Sequence, residues 1–113
     1  MTKIFKILPQ DVFSQLEDQH RFMGWRDDLR DGFIHCSTAE QLTGTLMKHF
    51  DGYQQLVVLE FSTHNVPHLT WEPSRDGQDF PHIYGPLDMT QPDQIYELAR
   101  QEDGLFPPLG IGA

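Results

Sequence analysis

The chain has 113 residues, of which 38% are hydrophobic, enough for one packed core and too few for a catalytic domain joined to a separate ligand domain. Seventeen acidic against eight basic residues give a net charge of −9, which opposes generic binding to nucleic acid or to an anionic membrane surface. The single cysteine, Cys36, excludes an internal disulfide framework and a four-cysteine zinc site, and it agrees with a reducing compartment.

No apolar run reaches the roughly 18 residues needed to span a bilayer, and Met1 to Leu8 lacks the apolar stretch and cleavage site of a secretory signal. A cytoplasmic location without a membrane partner is the expectation. Five of the bases, Lys3, Lys6, Arg21, Arg26 and Arg30, fall in the first 30 residues beside five acids, whereas residues 49–113 hold two bases and ten acids. A small anion would therefore be held by the first third of the chain. Repeats, low-complexity tracts and Ser/Gly linkers are absent, so residues 1–113 read as one domain with an irregular tail from about residue 101.

In chain order, Lys3 to Leu8 reads as a strand. Pro9 opens a helical stretch to about Gln19, with Val12, Phe13 and Leu16 on one side. Gly24 to Gly32 is charged and loop-like. Gly32 to Cys36 is a short strand whose alternation puts Phe33 and His35 on one face and Ile34 and Cys36 on the other. Ser37 with Glu40 three residues on spells a capping box, and Ala39, Leu42, Leu46 and Phe50 form the apolar stripe of a helix ending near Asp51-Gly52.

Leu56 to Phe61 is a nearly continuous apolar run, the mark of a central strand covered on both faces. Leu69 to Glu72 is extended, Ser74 to Asp79 is a polar turn, and Pro81 and Pro86 confine pairing to a short piece around His82 to Tyr84. Ile95 to Arg100 is a last strand or short helix. The fold class is α+β with an interior sheet.

Nucleotide-binding Gly-rich loops and the Gly-x-Ser-x-Gly elbow are absent. His64 and His68 are four apart, but Asn65 and Pro67 between them disfavour a zinc-binding helix, so no metal is expected. Two clusters hold the candidate chemistry. In Asp31-Gly32-Phe33-Ile34-His35-Cys36-Ser37 a strand-borne imidazole precedes a helix start, where His35 either meets a ligand oxygen or is a buried, satisfied histidine.

In the second cluster, Trp71-Glu72-Pro73-Ser74 joins Phe80-Pro81-His82-Ile83-Tyr84-Gly85-Pro86-Leu87. Aromatic and ionisable residues alternate there on a backbone stiffened by proline. Glu72 precedes Pro73 and is extended, so Trp71 and Glu72 face opposite ways. Read blandly, Glu72 is a surface acid and Trp71 and Phe80 are core.

These two clusters, with Ile4-Phe5-Lys6-Ile7-Leu8, resemble the bacterial domain of unknown function 952 family over the first 90 or so residues. Phe5 and Cys36 depart from that family's usual Tyr and Leu, and the tail after Thr90 is unmatched. The resemblance implies the ADP-ribosyltransferase-like fold, with a mixed sheet and two main helices. It also implies NAD or a related nucleotide as ligand, with transfer of ADP-ribose or phosphate.

Carried over, Lys6 would lie near a ligand phosphate or ribose, His35 would bond a ribose hydroxyl, and Ser37 would border the pocket. A carboxylate is what an oxocarbenium-like centre requires, and Glu72 is the candidate. The expected set is thus His35, Glu72 and His82 as catalytic residues and Lys6, Ser37, Trp71 and Tyr84 as ligand-binding ones, with His35, Trp71, His82 and Tyr84 lining or bordering one shared cleft. Two other readings stand beside it: a non-catalytic ligand-binding or interaction module, and a small hydrolase with His35 or His82 as base and Glu72 as acid.

Overall fold

A computed structural model describes residues 2–74 and 77–107 of the chain. Strand β1 (Lys3–Pro9) leads into helix α1 (Gln10–Leu16), and a short helix α2 (Asp27–Asp31) precedes the two-residue strand β2 (Ile34–His35). Helix α3 (Leu42–His49) is followed by β3 (Gln55–Ser62), a 3-10 turn at Thr63–Asn65, then β4 (Leu69–Pro73), β5 (Asp79–Ile83) and β6 (Gln94–Ala99). The α+β class stands. Instead of one mixed interior sheet, the described residues form two three-stranded antiparallel sheets, ordered β1-β3-β6 and β2-β5-β4.

The apolar run 56–61 is the middle strand of the first sheet, as its pattern requires, and it is buried on both faces. Alternation sorts the layers. Val57, Leu59 and Phe61 join Ile4 and Leu8 in a core closed by Phe13 of α1 and by Ile34 and Ile83 of the second sheet. Leu56 and Val58 join Phe5 and Ile7 in a second core closed by Leu42 and Leu46 of α3 and by Phe50 just after it. Backbone bonds between Phe5 and Ser37 stitch the sheets together, at 2.8 and 2.9 Å.

Five local expectations change. β5 pairs over Asp79–Ile83, Pro81 included, rather than around His82–Tyr84, and α3 begins at Leu42 rather than at Ser37. Helix α1 ends at Leu16 rather than near Gln19, and the charged stretch expected as loop contains α2. The reciprocal Ser/Thr–Glu/Gln box forms one residue later than expected, and it closes the turn before α3 rather than the helix itself, whose N-cap, Gln41, has no side-chain cap bond. Thr38 Oγ1 accepts from the Gln41 amide at 3.3 Å, and Gln41 Oε1 accepts from the Thr38 amide at 3.0 Å. Ser37 is unavailable for that role because its backbone bridges Phe5 and its hydroxyl meets Thr45 Oγ1 at 2.9 Å. Parts of the expected 74–79 turn and of the tail, residues 75–76 and 108–113, lie outside the described residues. Among the described residues no helix is long and apolar enough to cross a membrane.

Candidate functional site

Strand alternation puts Lys6 on the same face of β1 as Ile4 and Leu8, the face covered by the second sheet, so its ammonium needs a buried anion. Asp28 supplies it at 2.7 Å, and the Lys6 ammonium also donates to the His35 carbonyl at 3.0 Å. Asp28 further accepts from the Trp25 amide at 2.9 Å, from the His35 amide at 3.0 Å, and faces His35 Nδ1 at 2.7 Å.

Burial opposes ionisation of Asp28, but the His35 hydrogen bond and the Lys6 charge outweigh it and bring its pKa down to about 2. Gly24 makes this corner possible. Its φ of +134° is in glycine territory, and a Cβ there would lie 2.6 Å from the Asp28 Cβ.

The second half of the site comes from the β4–β5 ladder. Pairing of Thr70 with His82 and Glu72 with Phe80 sets these side chains on the sheet face away from Ile83 and Leu69. His82 Nδ1 lies 2.7 Å from Glu72 Oε1, and the Tyr84 hydroxyl donates to the same oxygen at 2.7 Å. The bonds from Tyr84 and then His82 hold the Glu72 carboxyl below the usual carboxylate range, while Glu72 pushes the Tyr84 phenol up.

Phe33 joins the halves. Its ring stacks on His82 at 4.2 Å between centroids and lies 4.6 Å from His35 and 5.2 Å from Tyr84. The two imidazoles are 5.4 Å apart. Outside this ring cluster, His35 Nε2 lies 3.0 Å from Asp31 Oδ2.

The structure therefore gathers His35, Glu72, His82 and Tyr84 on one face. Trp71 is not among them: it pairs with Pro81 on the opposite, core-side face, and at 42% exposure it is not a core residue either. Lys6 is committed to Asp28 and buried, and Ser37 is buried against Thr45. Neither presents a polar atom to the ring face.

Sequence reading overlooked Asp28, the most connected group of the site, and Phe33, its hinge. Asp28 lies in a stretch read as a charged loop. Alternation sets Phe33 on the face of His35, but only the fold reveals that its ring meets both histidines. Cys36 is an inert thiol, pushed up to about 12 by burial. A cavity of about 520 Å³ lies elsewhere, lined by residues such as His20, Phe61, Asp88 and Asp93 and by none of the expected site residues. Its walls carry one imidazole–carboxylate pair, His20 Nδ1 with Asp88 Oδ2, but at 3.4 Å and with the His20 side chain 77% exposed it is longer and more open than the two 2.7 Å pairs of the ring face.

The chain matches the model of the DUF952 family, proteins of unknown function, over residues 7–94. It is also similar to protein CC0527 from Caulobacter crescentus. The crystal structure of that protein is 38% identical, with 94% of each chain covered and a TM-score of 0.85. The solution NMR structure is 40% identical over 97% of this chain and 95% of that one, with a TM-score of 0.81. No curated protein matches. The chain belongs to the DUF952 family.

Proposed function

We propose, for this member of the DUF952 family, a small-molecule site in which two oriented imidazoles serve as a proton-transfer pair on a ligand lying over Phe33. The observation that carries the reading is the His82–Glu72 contact of 2.7 Å with the His35 ring 5.4 Å away. A carboxylate on Nδ1 fixes the ring and directs Nε2 to the ligand, which is the arrangement a general base needs. Asp28 likewise fixes the His35 ring through Nδ1, while the Nε2 of that ring faces Asp31 at 3.0 Å. Glu72 itself is held as an anion by Tyr84 and His82, so in this hydrolase-like chemistry it orients the base and is not the acid.

A second reading has its own support. Phe33 and Tyr84 offer ring faces beside the Glu72 carboxylate, a setting that suits a cationic nicotinamide ring and the positive charge that develops on ribose when it leaves. NAD or a related nucleotide is thus our candidate ligand, with transfer of ADP-ribose as the reaction. The buried Lys6 does not serve the phosphates in it.

Calorimetric titration with NAD, ADP-ribose and AMP, followed by NMR detection of released nicotinamide, tests both. Binding accompanied by release favours NAD cleavage. Binding of any of them without release, lost in Phe33→Ala, indicates a binding module. If NAD releases no nicotinamide but a panel of ester and phosphoester substrates turns over, the acid–base reading holds. His82→Gln and Glu72→Gln should then each lower turnover by roughly 10² without unfolding the protein. Full turnover in both variants excludes His82 as the base.

A further inference from the structure

The two edges of the His35 ring are held in different ways. On the Nδ1 edge, Asp28 is 2% exposed and has four protein donors around it, so it is part of the framework. On the Nε2 edge, Asp31 is 31% exposed and, among the described residues, is held by two neighbours. One is His35 itself at 3.0 Å. The other is Arg30, whose Nε donates to Oδ1 at 3.0 Å and whose Nη2 donates to Oδ2 at 3.4 Å.

An imidazole and a guanidinium fork converging on one carboxylate is the donor set that recognises an oxyanion. Here the oxyanion comes from the chain. Asp31 is the last residue of α2, and the next residue, Gly32, has φ +84° with nothing within 4 Å of where a Cβ would stand. The Asp31 side chain is itself 31% exposed, so turning away carries its carboxylate into solvent. Arg30, itself 69% exposed, keeps a second carboxylate partner when Asp31 leaves, because its Nη1 lies 3.3 Å from Asp27 Oδ1.

We propose that Asp31 stands in an oxyanion subsite: a ligand carboxylate or phosphate monoester takes its place between His35 Nε2 and the Arg30 guanidinium, and Asp31 turns to solvent. The neighbouring Phe33 ring, 4.6 Å from His35, gives a ring-bearing ligand its second contact. The ligand class is a small oxyanion carried by a ring, as in a nucleoside monophosphate. This rests on reading the ring face as a ligand site, and it supplies the cation that Lys6 does not.

The experiment is calorimetric titration of inorganic phosphate, AMP and adenosine into the wild type, Asp31→Asn and the double variant Asp31→Asn/Arg30→Gln, with Asp31→Ser as a second way to remove the charge. Removing the competing carboxylate should tighten phosphate and AMP by about tenfold and leave adenosine unchanged, and Arg30→Gln should cancel the gain. A larger gain for AMP than for phosphate assigns the subsite to a nucleotide, and an equal gain assigns it to the free oxyanion. No gain in either charge-removing variant, or a gain that survives Arg30→Gln, overturns the proposal. If adenosine binds while phosphate gains nothing, only this proposal falls. If none of the three binds any variant, the nucleotide reading of the face falls with it, and the acid–base reading is decided by the ester panel alone.

Discussion

Two histidine–carboxylate pairs with the same 2.7 Å contact face one phenylalanine, yet they belong to different parts of the molecule. In the His35 pair the carboxylate is the buried member: Asp28 is 2% exposed and also holds Lys6 and two backbone amides. In the His82 pair the carboxylate is on the solvent side, 34% exposed, and its other partner is a phenol. One pair is architecture that presents an imidazole. The other can lose its carboxylate and keep its fold. Distance alone does not separate them; what else the carboxylate holds does.

The sharpest way to break this contrast is to remove each carboxylate. Asp28→Ala leaves the Lys6 ammonium buried without its anion and two amides without acceptors, and it should cost about 3–5 kcal/mol in urea unfolding. Glu72→Gln should leave the unfolding midpoint near that of the wild type. Equal losses in the two variants would erase the distinction.

Acid titration gives the next largest effect. Asp28 is held at about 2 against an ordinary 3.8, so the folded pKa is the depressed one. Its contribution is complete above about pH 4 and is lost as pH falls toward 2. The size is on the order of 2 kcal/mol. Glu72, also depressed, loses its smaller contribution as pH falls below the usual carboxylate range. Unfolding midpoints measured from pH 5 to 2 should fall most steeply at the lower end in the wild type. A flat profile there would mean that Asp28 gains nothing from Lys6 and His35.

A smaller effect tests how the second pair is anchored. Gln41, whose oxygen completes the capping box with Thr38, also donates through Nε2 to the Asp79 carbonyl at 2.7 Å, where β5 begins. Thr38→Ala should cost about 1 kcal/mol. It should also speed amide exchange in β5 more than in β2, since β2 is pinned independently by Asp28. Equal acceleration in both strands would show that the two pairs are not anchored separately.

How much of this was legible depends on the range of the forces involved. Alternation in 33–36 and 69–72 is local. It correctly set Phe33 with His35 and Trp71 against Glu72, so the polar face could be read along each strand. That β2 and β4 both pair with β5, and so bring His35 to His82, is a tertiary fact no spacing records. Asp28 was hidden because its partner Lys6 is 22 residues away and its pocket depends on the left-handed Gly24. The capping box was misplaced because Ser37-x-x-Glu40 and Thr38-x-x-Gln41 overlap. Only the bridge from Ser37 to Phe5 decides between them.

Trp71 gives the smallest expected effect and the most direct check on the face itself. A large aromatic next to Glu72 in a cluster rich in site residues invites assignment to the ligand. Its register with Pro81 instead turns it to the side of Leu69 and Ile83, at the sheet's end, where 42% of it remains exposed. Replacing it by Ala removes partly solvated surface and leaves Asp28, Asp31, Glu72 and Phe33, the groups that hold the two histidines, in place. Stability should change by no more than about 1 kcal/mol. Binding of any ligand whose affinity depends on Phe33 should be unchanged, whereas Tyr84→Phe, which removes a donor to Glu72, should weaken it. If Trp71→Ala and Tyr84→Phe weaken that ligand equally, the ligand wraps the edge strand β4 and reaches both sheet faces, and a site confined to the face of His35 and His82 is wrong.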